Sequence, residues 1–382
     1  MKFGTRLIHH ELGTDKHTGA LSVPIYQVST YHQHDLDTQQ EFDYSRSGNP
    51  TRKALEEIIA ELEGGDRGFA FASGMAATSS VLSIFSAGDH IIICEDVYGG
   101  TFRIANGFFK RFGVEVSFVN ASELDDIRKA VKHNTRALFL ETPSNPLLKI
   151  TDLKGAIEIA KQSHLVVIVD NTFMSPYLQN PIDLGADIVI HSATKFIGGH
   201  SDVVGGLVVV KGRELAQKVY SVQNGYGAIL GPQDCWLLLR GLKTLKIRVD
   251  VQQQSSQKLA LWLAQQDEVA EVFYPGLENH AGRDIHVSQA RGAGAVLSFK
   301  TKDADLARAW MKKVRYAAVA VSLGGVETIV SYPVKMSHAS MPLKERERLG
   351  ITDNLIRVSV GLEEVEDLIE DFDRAFKESG ER

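Results

Sequence analysis

Between residues 49 and 210 the chain alternates amphipathic stretches with short apolar runs. Asn49-Pro50 precedes Leu55, Ile58, Ile59 and Leu62, and Gly64-Gly65 follows them. That spacing puts the apolar side chains on one face of a helix, with an asparagine cap, a proline in the first turn and a glycine stop. The runs Phe69–Ala72, Ile91–Cys94, Val114–Val119, Ala137–Leu140, Leu165–Val169, Ile188–Ile190 and Leu207–Val210 are of strand length. Strands apolar throughout and separated by helical stretches form a mainly parallel sheet covered on both faces. The pattern predicts an α/β fold.

Beyond Gly231-Pro232 the rhythm changes. A long helical stretch is expected from Asp234 to about Gln266, followed by isolated strands at Val296–Phe299, Ala318–Val321 and Ile356–Val360. Residues 1–48 show weak periodicity and several polar clusters, as an extended arm does. The expected organisation is therefore an arm over 1–48, a large domain over 49–240 and a smaller α/β C-terminal domain over 241–382.

Composition narrows the function classes. A net charge of −6 with interspersed signs leaves no basic stripe for a nucleic-acid partner. Cys94 and Cys235 are too few for a disulfide framework or a zinc site, and Cys94 sits in an apolar run, which fits a reducing cytoplasm. The N-terminus lacks an apolar signal segment and no run approaches the ~20 residues of a bilayer span, so no membrane association is expected. The thirteen histidines show no ligand spacing, so no metal is expected. There is no G-x-G-x-x-G turn, P-loop or H-E-x-x-H.

The chemistry concentrates around Lys195, at the end of Ser192-Ala193-Thr194-Lys195, and Asp170, at the end of Leu165–Asp170. A Schiff-base lysine and a carboxylate that keeps a pyridinium nitrogen protonated are what pyridoxal phosphate needs to act as an electron sink. Taken singly, Asp170 is equally a turn cap for Asn171 and Thr172, and Lys195 equally a surface lysine. Ser73-Gly74-Met75 follows an expected strand and opens a helical run, so free N–H groups and the positive end of the helix dipole coincide there. Hydroxyls of Ser192 and Thr194 can add bonds to the same anion.

Five blocks together resemble the pyridoxal-phosphate enzymes of cysteine and methionine metabolism, in that family's order: Tyr44–Arg52, Ser73–Ala77, Glu141–Pro146, Asp170–Thr172 and Ser192–Lys195. The resemblance covers about Leu7 to Phe376 and implies fold type I, the aspartate aminotransferase-like fold, with pyridoxal 5'-phosphate as cofactor. It implies Lys195 as Schiff-base lysine and general base, Asp170 as ring-nitrogen partner, and Gly74, Met75, Ser192 and Thr194 as phosphate holders. Tyr44 and Arg46 resemble residues that reach the phosphate of a neighbouring subunit, and Tyr98 resembles the tyrosine stacked on the cofactor ring. Arg357 matches the arginine for the substrate carboxylate, with Asn145 and Ser322 as helpers and Arg103 as a further active-site arginine. A homo-oligomer, a tetramer of dimers with shared active sites, is implied too.

Within that family the reactions are β-elimination, γ-elimination and γ-replacement on amino-acid thioethers. Val321 stands where the γ-lyases and γ-synthases usually carry a glutamate, and Gly100 where methionine γ-lyases tend to carry cysteine. Asp43, Met336–Pro342 and Asp234-Cys235-Trp236 resemble cystathionine β-lyases. The expected activity is β-elimination of L-cystathionine, with the γ-lyase and γ-synthase reactions as alternatives. A protein that binds the cofactor only for regulation is disfavoured by the intact lysine, aspartate and arginine.

Overall fold

The structure, a computed structural model, describes all residues except 10–14, 16, 36, 39, 340, 381 and 382. The Asn49 side chain accepts from the N–H groups of Thr51 and Arg52, Pro50 opens helix α1 (Pro50–Glu63), and Gly64 ends it at φ 78°. Leu55, Ile58, Ile59 and Leu62 are buried on its inner face.

The seven apolar runs are strands: β1 (Arg67–Phe71), β2 (His90–Cys94), β3 (Glu115–Val119), β4 (Thr135–Glu141), β5 (Val166–Asp170), β6 (Ile188–Ser192) and β7 (Gly206–Val210). They form one sheet in the order β1-β7-β6-β5-β4-β2-β3. β7 runs antiparallel to both neighbours and every other pairing is parallel. Every residue of β2 and β7 is buried, as the apolar pattern requires of strands covered on both faces. Helix α2 (Gly74–Leu82) packs on one face and α1 on the other.

Helix α3 (Arg213–Tyr226), which the pattern did not single out, follows β7. The single helix expected from Asp234 to Gln266 is two helices, α4 (Pro232–Leu242) and α5 (Leu245–Leu263). The break falls where the α4 end passes the Lys195 loop: a Cβ on Gly241 would lie 2.5 Å from the carbonyl oxygens of Ile197 and Gly198. Arg248 of α5 seals the junction, donating to Phe196 O at 2.8 Å, Gly241 O at 2.8 Å and Thr244 Oγ1 at 3.0 Å. Beyond it a second sheet has the order β10-β11-β12-β9-β8, from β8 (Val269–Phe273), β9 (Val296–Thr301), β10 (Ala318–Val319), β11 (Ile329–Ser331) and β12 (Leu355–Ser359). The strand expected over Ala318–Val321 stops at Val319, because the chain turns away to Ser322, whose φ is 86°.

Candidate active site

Three adjacent parallel strands, β4, β5 and β6, end at Glu141, Asp170 and Ser192, and the crevice outside such carboxyl ends is where open α/β sheets bind ligands. A cavity of about 550 Å³ opens there, a volume suited to a cofactor and a small substrate. It brings together residues from far apart in sequence: Gly74 and Met75, Tyr98 and Arg103, Asn145, Asp170, Ser192, Thr194 and Lys195, and Ser322 and Arg357.

At one end Ser73 caps α2 by accepting from Ala76 N at 3.0 Å, and the first residues of the helix, Gly74 and Met75, line the cavity, where the unpaired N–H groups of a helix start can hold an anion. Gly74 is required by contact: a Cβ there would sit 2.9 Å from Ser192 Cβ and 3.0 Å from its Oγ. The helix start and the β6 end thus close on each other, as an anion cradle needs. Thr194 is tied down by Gly205, whose N–H donates to Thr194 Oγ1 at 3.0 Å.

Asp170 is both a turn cap and a cavity residue. Its Oδ1 accepts from Thr172 N at 3.0 Å and Thr172 Oγ1 at 2.5 Å, and among the described residues no ion pair reaches it. Burial pushes its carboxyl upward, against the two Thr172 bonds and the nearby His191. Glu141 is raised further, by burial first and then by Asp170, although Tyr98 N donates to its Oε2 at 2.8 Å. A buried carboxylate without a cation beside it is costly, so this floor is built for a positive group.

Lys195 is not a surface lysine. Its Nζ donates to Ser322 Oγ at 2.6 Å, and burial, then the Arg357 charge, lower it to about 8. Arg357 lies on β12, an interior strand, where an unpaired cation would not normally sit. It is 3 % exposed and donates to Asn145 Oδ1 at 2.9 Å, Ser322 O at 2.7 Å and Ser331 Oγ at 3.1 Å. Its Nε has no partner, and burial lowers the group to about 10. The guanidinium is thus held rigidly at the cavity wall.

Tyr44 and Arg46 do not line this cavity. Arg46 donates to Asn224 O at 2.8 Å and lies over the Tyr44 ring, which is 45 % exposed. Three residues of the site had no assigned role in the sequence: Glu141, Thr172 and Ser331. The first two lie inside recognisable blocks, but Ser331 belongs to a three-residue strand and reaches the site only through its register with Arg357. Ser340, within the Met336–Pro342 segment, lies outside the described residues.

The Cys/Met metabolism PLP-dependent enzyme family matches residues 4–377. The chain belongs to that family. Its cofactor is pyridoxal 5'-phosphate, which the cavity fits: its lining holds the α2 start for a phosphate, a carboxyl without an ion-pair partner among the described residues for a cationic ring nitrogen, and a desolvated amine. The chain is 52% identical over 374 residues to cystathionine beta-lyase MetC of Bacillus subtilis, covering 98% of this chain and 96% of that one. It is 48% identical to cystathionine gamma-lyase of the same organism, covering 99% and 100%. The crystal structure of cystathionine gamma-lyase from Lactobacillus plantarum complexed with L-serine superposes with a TM-score of 0.97 at 45% identity, covering 99% of both chains. Among the described residues no helix is long and apolar enough to cross a membrane, and no cluster of histidine, cysteine or acidic residues could hold a metal ion.

Proposed function

We propose that the enzyme cleaves L-cystathionine by β-elimination, consuming water and yielding homocysteine, pyruvate and ammonia. The observation that carries this choice is Val321, which lines the cavity and is 65 % exposed. Among the described cavity residues the carboxyls are Glu141 and Asp170, both at the strand-end floor, so no acid awaits the distal ammonium of a substrate poised for γ-cleavage. Gly100 argues against a cysteine-bearing relative, since a Cβ there would lie 2.6 Å from both Met75 Sδ and Tyr98 Cε1. The B. subtilis beta-lyase, at 52% identity, supports the same reading.

Bound pyridoxal phosphate supplies a sink for the charge that develops at the substrate α-carbon. In this reading Arg357, braced by Asn145 and Ser331, holds the substrate carboxylate. Lys195 takes the α-proton: with the amine lowered to about 8, roughly a tenth of it is free at neutral pH, far more than for an ordinary lysine. Asp170 would keep the ring nitrogen protonated, Tyr98 would pack against the ring, Gly74, Met75, Ser192 and Thr194 would hold the phosphate, and Arg103 would serve the substrate. Tyr44 and Arg46 serve the site of a neighbouring subunit, so the working unit is a homo-oligomer, a tetramer of dimers. A division near residue 240 and a cytoplasmic location complete the proposal.

Supplying L-cystathionine and identifying the oxo acid tests the reaction. Pyruvate with homocysteine is expected; 2-oxobutyrate with cysteine would overturn β-elimination.

A further inference from the structure

On the opposite face of the sheet from Asp170 lies a carboxylate that the reaction does not touch. Glu63 is the last residue of α1, 0 % exposed, at the helix end where the dipole disfavours negative charge. Burying an acid there is costly, and it is tolerated because three side chains donate to it. His191 Nε2 lies 2.6 Å and Asn171 Nδ2 2.9 Å from Oε1, and Asn180 Nδ2 lies 3.2 Å from Oε2. Asn171 directly follows Asp170, and His191 directly precedes Ser192.

On the cavity side the same strand ends are joined again. Thr172 Oγ1 donates to Asp170 Oδ1 at 2.5 Å and accepts from Ser192 N at 2.9 Å. Successive strand residues point to opposite faces, so the two sets of bonds cannot replace one another. Together they close a ring: Glu63, Asn171, Asp170 with Thr172, Ser192, His191 and back to Glu63.

We infer that Glu63 is a positioning residue for the cofactor, its carboxylate fixing the end of β5, which carries Asp170, against the end of β6, which leads to Ser192, Thr194 and Lys195. The inference rests on the site reading given above. A ring nitrogen held by one strand and a phosphate held by the next need a separation constant to a fraction of an ångström, and a front-face link alone leaves the pair free to hinge. In Glu63→Gln the oxygen that faces His191 and Asn171 becomes a neutral amide oxygen and the other becomes an NH2 group against Asn180 Nδ2, so the back-face link loses its charge-assisted bonds without a change of volume.

The test is titration of pyridoxal phosphate into apoprotein, followed by the visible band and by the rate of cofactor loss. Glu63→Gln should bind at least tenfold more weakly, keep a cooperative unfolding transition and, at saturating cofactor, lose kcat with less than a twofold change in KM for L-cystathionine. His191→Leu should weaken binding similarly and His191→Gln, which keeps a donor, should recover most of it. Asn180→Ala removes a bond to the same carboxylate away from the strand ends, and should bind the cofactor as wild type does. Binding by Glu63→Gln within twofold of wild type would overturn the inference, as would equal weakening by Asn180→Ala. Should Glu63→Gln not fold, unchanged binding by His191→Leu overturns it. A wild-type apoprotein that takes up no pyridoxal phosphate would defeat the site reading itself.

Discussion

Lys195 and Asp170 are ordinary residue types whose roles come from being denied solvent. The native lysine is lowered to about 8, whereas in the unfolded chain it titrates near 10.5. Below pH 8 the buried charge therefore costs the cofactor-free chain roughly 3 kcal/mol at most, a cost that fades as pH rises from 8 through 10.5, where only the unfolded state still holds the proton. Lys195→Met should accordingly stabilise the apoprotein against urea at pH 7, with the gain shrinking towards pH 10; a gain independent of pH would dissociate it from this charge. Val321→Glu should move a tenth or more of the product from pyruvate to 2-oxobutyrate, and an unchanged ratio would remove Val321 from the specificity argument. These residues were legible because each sits in a compact block, Ser192–Lys195 or Asp170–Thr172. Ser331 and Glu63 were not, since Ser331 reaches the site through strand register with Arg357 and Glu63 meets Asn171 by helix packing across 108 residues, which local pattern does not encode.

Among the elements, apolar runs buried on both faces announced themselves, and all seven large-sheet strands lie where they were expected to within two residues. What stayed hidden has a physical cause in each case. β8 is a half-exposed edge strand and β11 only three residues long, too little for a period to show. The α4–α5 break carries no proline and follows from the close passage of the Lys195 loop. Gly241→Ala sets a helix-propensity gain of about 1 kcal/mol against a Cβ 2.5 Å from two backbone oxygens, and the clash wins because backbone cannot yield cheaply. A net loss of about 1–3 kcal/mol is expected in denaturant unfolding; a variant more stable than wild type would show that the junction is loose.

For the molecule as a whole, the cavity gathers eleven of the thirteen residues singled out from sequence, and the two it leaves out, Tyr44 and Arg46, lie on an exposed arm. Their proposed place in a neighbouring subunit's site can be checked by subunit mixing. Lys195→Ala and Arg46→Ala proteins, each inactive alone, should on refolding together regain about a quarter of wild-type activity, because half of randomly formed dimers hold one intact site. No recovery would place Arg46 in its own subunit's chemistry, and an Arg46→Ala protein active by itself would place it outside the chemistry altogether.

The central claim is that one desolvated amine, at the carboxyl ends of β4, β5 and β6, carries the cofactor. Borohydride reduction of the holoenzyme followed by peptide mapping tests it most directly. Loss of the visible band and a single pyridoxyl adduct on Lys195 are expected; an adduct on another lysine, with Lys195 unmodified, would contradict that role for the amine.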